Sequence, residues 1–436
     1  MFAFRWLPQR MKSNSLIIFA WNITLVLLGI LGVELFFGHW LKTSANPPRV
    51  MPKGGVRYDR IAIENAKRFI EKFPNTNQTT VHPAKNAIGK CTVLVLGGST
   101  TEDIILTKPE MWTGKYHKKI NREVPKHLCR GGVEVINAGV GGHSTLANFG
   151  DLKHWLITEL DNANLVVVYQ GINDNHDGFS LSSKRRIIYG LMGASVGPVV
   201  FDFLSDIRLA IIYNSAIFDL YTRLRSHYDS SNHDPKYGFT KQNGKEYVVI
   251  KKQHSQPPRA RDIQTVGISE STISKVKSSL AYQKYQLHIN KLYSLILDSG
   301  AGLIVITQTF PVCDIRSADK IVFANLATSE YLSEDYAENL SQDEILQIAK
   351  NGMLQNFFGM CWRVKLNSDA QREVADSLKS RYPNKIQFLD YAATKKLHLN
   401  EMSMDLYHRD PNATHKLFQD FIDFGLIEKT LHLLNE

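Results

Sequence analysis

Leu94-Val95-Leu96-Gly97-Gly98-Ser99-Thr100-Thr101 starts as an apolar strand and breaks directly into a glycine pair followed by three hydroxyl residues. A short strand that is apolar on both faces belongs to a parallel sheet covered by helices on each side. The glycine pair permits a tight strand-to-helix turn, which leaves Ser99 on the first turn of the following helix. On either side of this segment the pattern keeps alternating. A strand over Thr92–Leu96 is followed by a helix over 110–126, a strand over Val133–Asn137 and a Gly-rich loop at 139–142. Then come a helix over 146–160 and a strand over Leu165–Tyr169 running into Gln170-Gly171-Ile172-Asn173-Asp174. A helix over 275–298, strands Gly302–Thr307 and Ile386–Leu389 and a helix over 411–424 complete the series. Five buried strands separated by helices predict an α/β domain with a parallel five-stranded sheet.

Two intervals exceed what such a core needs. Residues 178–272 hold an apolar helical stretch (199–224) and a polar, Pro-containing loop (229–262), and residues 313–383 read as mostly helical. Both leave from strand C-termini, where α/β proteins build ligand sites, so both are expected to be insertions forming a lid or substrate wall.

The N-terminal region has a different character. Residues 15–37, SLIIFAWNITLVLLGILGVELFF, carry one formal charge, Glu34. At 1.5 Å per residue the run reaches roughly 35 Å, enough to cross a bilayer. A cleaved signal peptide is the competing reading, but its apolar core runs to only about 7–15 residues before a small-residue cleavage site. Thr43-Ser44-Ala45 is a poor version of that site, which favours an uncleaved anchor. The expected organisation is a cytoplasmic tail (1–14), a transmembrane anchor (15–37), a stem (38–89) and a domain over 90–436. Within the stem, 43–58 is rich in Pro, Gly and basic residues, 59–73 has helical periodicity, and 74–90 is turn-rich. The short tail and long body point to an extracytoplasmic domain on a single-pass chain.

The 436 residues carry a formal charge of +10, which favours contact with anionic partners such as lipid head groups. Scattered Lys and Arg with no recognition motif argue against nucleic acid. Oligomeric state is not legible. Of four cysteines, Cys91 and Cys129 both precede predicted strands and so can share a sheet edge and pair. Four buried free thiols are the alternative, and no C-x-x-C suggests zinc.

Four segments at strand ends carry chemistry. Ser99 is a candidate nucleophile. In Asn137-Ala138-Gly139-Val140-Gly141-Gly142-His143-Ser144, the Gly142 N–H is a candidate oxyanion donor, and the Asn173 side chain is a second. In Asp405-Leu406-Tyr407-His408, a spacing of three lets Asp405 orient the imidazole of His408 as general base. Asp390, at the end of the last strand, is a rival orienting carboxylate. Thr100, His143 and His176 flank these motifs as candidate substrate contacts.

Taken in this order, the segments resemble those of the SGNH (GDSL-like) hydrolase superfamily. Ser99 matches the block I serine, Gly142 the glycine of N-A-x-x-x-G, Asn173 the asparagine of G-x-N-D, and Asp405 and His408 the D-x-x-H. The likeness covers roughly 90–175, 300–312 and 386–424, and Gly98 stands where that family commonly has Asp. It implies a flavodoxin-like three-layer sandwich that needs no cofactor. It also implies acyl transfer from an O-acyl ester, a carbohydrate acetyl or a lipid, through an oxyanion hole of Ser99, Gly142 and Asn173. Transfer to a sugar hydroxyl instead of water is a second outcome of that chemistry. A non-catalytic envelope protein on the same fold is a third reading. A nucleotide-binding flavodoxin-like protein is a fourth, which leaves the Asp-x-x-His unexplained.

Overall fold

The computed structural model describes residues 9–37, 80–82, 89–103, 106, 109–140, 143–154, 156–175, 215, 217, 237–242, 245–250, 260–326, 341–343, 357–397 and 411–436. In chain order the elements begin with α1 (Gln9–Phe37), β1 (Thr80–His82), β2 (Cys91–Gly97), α2 (Ser99–Glu102), α3 (Trp112–Glu123) and β3 (Val133–Asn137). Next are α4 (Thr145–His154), α5 (Ile157–Asp161), β4 (Leu165–Gln170) and a 3₁₀ turn (Ile172–Asn175). After these come β5 (Tyr237–Gln242), β6 (Lys245–Ile250), β7 (Ala260–Gly267), α6 (Glu270–Lys277), α7 (Leu280–Asp298) and β8 (Gly302–Thr307). The chain ends with β9 (Cys313–Asp314), β10 (Lys320–Leu326), α8 (Phe357–Lys379), β11 (Ile386–Leu389), α9 (Tyr391–Thr394), α10 (Pro411–Asp423) and α11 (Leu426–Asn435).

The main sheet runs β1-β3-β2-β4-β8-β11. Its last five strands are parallel, and β1 pairs antiparallel with β3 at the edge. Numbered by sequence, the parallel strands lie in the order 2-1-3-4-5, which is flavodoxin-like and puts the topological switch between β2 and β4. Residues on these strands divide by parity between two cores. Leu94, Leu96, Val166, Val168, Leu303 and Val305 face a core built with α4, α7 and α8. Val93, Val95, Leu165, Val167, Ile304 and Ile306 face one built with α3, α10 and α11. This period of two, with both faces buried, explains why the central strands β2, β4 and β8 read as nearly unbroken apolar runs. The result is a three-layer sandwich.

Differences from expectation concentrate outside this sheet. The turn-rich stretch 74–90 contributes β1, whose three residues are too few to show alternation. The polar loop expected over 229–262 contains the hairpin β5–β6 and the start of β7. Its signal was present: Asn243-Gly244 separates the two strands in sequence, and Asn-Gly is the dipeptide favoured by two-residue hairpin turns. Residues 313–383 are not mostly helical at their start. There β9 and β10 join β7 in a three-stranded antiparallel sheet ordered β7-β10-β9. The single helix expected over 146–160 is divided into α4 and α5. That over 275–298 is broken at Ser279, which caps α7 by accepting from Tyr282 N–H. The helix expected over 59–73 and nearly all of 199–224 lie outside the described residues.

Helix α1 contains a 19-residue window, Ile17–Leu35, with mean hydropathy 2.0, none of it buried in the protein. It is long and apolar enough to span a membrane. All four cysteines are paired, Cys91 with Cys129 and Cys313 with Cys361. The first pair ties the start of β2 to the α3–β3 connection. The second ties β9 to α8.

Candidate active site

The C-terminal end of β2 turns into α2 at Gly97 and Gly98, and neither position has room for a side chain. A Cβ on Gly97 would lie 2.1 Å from Thr101 Oγ1 and 2.3 Å from the Tyr169 carbonyl oxygen, and one on Gly98 would lie 2.3 Å from Asn173 Nδ2. The Gly98 carbonyl accepts from the N–H groups of Thr101 (2.9 Å) and Glu102 (3.0 Å), closing the turn. Asp103, in the left-handed region at φ 49°, ends α2 after one turn. Thr100 and Thr101 are buried while Ser99 is half-exposed, so Ser99 is the hydroxyl the turn presents outward.

The loop after β3 packs on this turn. The Asn137 side chain donates to the Thr101 carbonyl (2.8 Å), and its Oδ1 accepts from Gly139 N–H (3.0 Å). A Cβ on Gly139 would sit 2.5 Å from Glu102 N. Gly139 thus serves close packing of this loop against α2. Gly142 itself lies outside the described residues.

Asn173 follows β4 within the 3₁₀ turn, half-exposed, with its amide nitrogen over Gly98 beside Ser99. Three neighbours fix that turn. Gln308, just past β8, accepts from Ile172 N–H (2.9 Å) and donates to Thr100 Oγ1 (2.8 Å) and the Tyr169 carbonyl (3.2 Å). Asp174 accepts from Thr145 N–H (2.6 Å) and the Tyr285 hydroxyl (3.2 Å). Burial, reinforced by the Asp174 charge, pushes the Tyr285 phenol far above its ordinary range, so it stays protonated as a donor. From α8, Asn367 donates to the Gly171 carbonyl, and Gln371 donates to the Gln170 carbonyl (3.1 Å) and Tyr285 Oη (3.1 Å).

Two of the expected substrate contacts are built into the scaffold. Thr100 is buried against Gln308. His143 is buried with Nδ1 2.9 Å from Asp151 Oδ2, also buried. Burial alone would lower the His143 pKa, but the Asp151 carboxylate, aided by Glu102 and Asn148, outweighs it and raises the net value. His176 lies outside the described residues, as do Asp405 and His408. Helix α10 begins at Pro411, three residues past His408. Asp390, the rival orienting carboxylate, is engaged elsewhere: it accepts from Arg372 Nε (2.9 Å), Thr307 Oγ1 (3.1 Å) and Ala393 N–H (3.3 Å).

The turn that carries Ser99 and the turn that carries Asn173 thus meet at Gly98, at the switch point, and among the described residues no group of three or more His, Cys, Asp or Glu is placed to hold a metal. Sequence reading missed Gln308, Asn367 and Gln371, the side chains that lock the Asn173 turn. Their one signal is a polar residue where burial was expected: Gln308 straight after an apolar strand, and Asn367 and Gln371 four apart on one face of a buried helix.

No protein-family model matches the chain, and no curated protein does. Solved structures similar to it include an α/β hydrolase from the metagenome of Lake Arreo (11% identity, 77% of this chain and 94% of that one, TM-score 0.33). An acetylxylan esterase from Geobacillus stearothermophilus (12%, 77% and 95%, TM-score 0.34) and a lipase from a goat rumen metagenome (11%, 77% and 98%, TM-score 0.34) are also similar. The flavodoxin-like architecture rests on the strand order.

Proposed function

We propose that this chain is a membrane-anchored serine hydrolase of the SGNH type that cleaves O-acyl esters on a carbohydrate or lipid. The observation carrying this reading is the Asn173 amide nitrogen set over Gly98, the residue before the half-exposed Ser99, at the switch point of the sheet. A hydroxyl on a tight turn with a preplaced amide donor suits a carbonyl that gains negative charge under attack.

In this mechanism His408, oriented by Asp405, takes the Ser99 proton as Oγ attacks the ester carbonyl. The oxyanion accepts from the Ser99 and Gly142 N–H groups and from Asn173. His408 then gives its proton to the leaving alcohol, and water attacks the acyl-serine to release the acid. With Asp390 held by Arg372, Asp405 is the better orienting carboxylate. Two disulfides suit an oxidising compartment, which supports anchoring by residues 15–37 with the catalytic body outside the cytoplasm. A fluorophosphonate probe should label the wild-type chain and spare Ser99→Ala; equal labelling of the two would overturn the assignment.

A further inference from the structure

Glu34 is the one charged residue in the apolar stretch 15–37. An ionisable side chain at that place is costly near lipid and calls for a partner. Its partner comes from the globular domain: Glu34 Oε1 accepts from Ser215 Oγ (2.7 Å) and from the backbone N–H of Ile217 (3.2 Å). Both donors belong to the insertion that leaves the sheet just after Asn173. One stretch of chain therefore connects the mouth of the candidate active site to the last turn of the membrane helix. Among the described residues, the exposed large apolar side chains lie on α1 with two exceptions, Ile217 and Ile263. Ile217 is at this contact, so apolar surface continues from the anchor onto the domain.

The number of residues between anchor and domain does not by itself fix the site near the membrane. Residues 38–79 separate α1 from β1, and fully extended they reach roughly 140 Å. On such a tether the site would sample soluble and distant substrates freely. We propose that Glu34 is a docking group that clamps the domain to the anchor and holds the site at the bilayer surface. The ester it takes is then carried on a lipid of the same membrane. The substrate half of this proposal rests on the ester-hydrolase reading above, and the docking half does not.

The test uses the full chain in phosphatidylethanolamine–phosphatidylglycerol vesicles. Because the four native cysteines are paired, a Glu34→Cys/Ser215→Cys variant reports docking directly. It should form a third, intramolecular disulfide under mild oxidation, and failure to do so would overturn the docking. Activity is then read on nitrophenyl butanoate free in solution and on the same ester attached to a dialkyl lipid in the vesicle. Glu34→Leu should lower turnover of the lipid-borne ester about tenfold, the loss expected for hydrogen bonds to a charged acceptor, and leave the soluble ester unchanged. Glu34→Gln, which keeps an oxygen acceptor, should stay close to wild type. Equal loss on both esters, or on neither, would overturn the substrate half. If wild type cleaves neither ester while the cross-link forms, the hydrolase reading fails together with the substrate half, and the docking stands.

Discussion

The two edges of the parallel sheet are made by the same strands but treat polar groups in opposite ways. At the N-terminal edge, polar side chains close off the backbone. Asn164 Oδ1 accepts from Thr92 N–H (2.8 Å), and Asn121 makes paired bonds to Val133 (both 2.8 Å). The Cys91–Cys129 disulfide finishes that edge. At the C-terminal edge, Asn137, Asp174, Gln308, Asn367 and Gln371 bond from one loop to the next, and the network leaves Ser99 and Asn173 partly exposed. One edge is sealed, while the other is rigid yet open. A site needs the second condition, because side chains locked by their neighbours lose little freedom when a substrate arrives.

The sharpest way to break this contrast is Ser99→Ala. Ester turnover should fall by on the order of 10⁴-fold or more with no change in thermal midpoint. A large stability change would mean the turn is structural. Next in size, Asn173→Ala should cost about 10²–10³ in kcat. Gly98→Ala should cost a comparable amount, since the new Cβ would displace the Asn173 amide. Gly302→Ala at the opposite edge meets Leu433 Cβ at 3.2 Å and should cost stability but not rate; urea melts and initial rates on all four variants separate these outcomes.

The disulfides extend the comparison. Replacing Cys91 and Cys129 by Ser should lower unfolding free energy by about 2–5 kcal/mol at unchanged kcat. The Cys313→Ser/Cys361→Ser variant should lower kcat as well, because that bridge tethers α8, which carries Asn367 and Gln371. Equal kcat for the two variants would separate α8 from the site.

The smallest effect concerns His143. Its folded-state pKa is raised, so the stability it contributes is full below about pH 6.5 and is lost as pH rises through the folded value. Asp151→Asn should remove that part of the pH dependence in chemical melts. An unchanged profile would mean another group carries it.

Legibility followed burial. The parallel strands were readable because most of their residues are apolar on both faces, and Val133–Asn137, Gly302–Thr307 and Ile386–Leu389 end where the sequence placed them. The strands missed, β1, β5, β6, β7, β9 and β10, are short or lie in antiparallel pairs outside the parallel sheet, where composition is mixed and Asn243-Gly244 was the best available cue. The positions of Ser99 and Asn173 just past the ends of β2 and β4 were legible because strand-end motifs have fixed spacing. Thr100 and His143 are buried against the scaffold, a direction that polarity beside a motif does not reveal. Gln308 is 208 residues from the Thr100 hydroxyl it holds, a partnership that local spacing does not encode.

Strand β1 has a practical consequence for handling the protein. It covers the free side of β3 with three residue pairs, and it belongs to the stretch between the anchor and the first parallel strand. A soluble version cut to begin at Lys90 would lose the apolar helix but also uncover the N–H and C=O row of β3. Such an open edge recruits strands from other molecules, so that version should self-associate. One beginning a few residues before Thr80 should stay dispersed, with the boundary set by hydrogen bonding rather than by hydrophobicity.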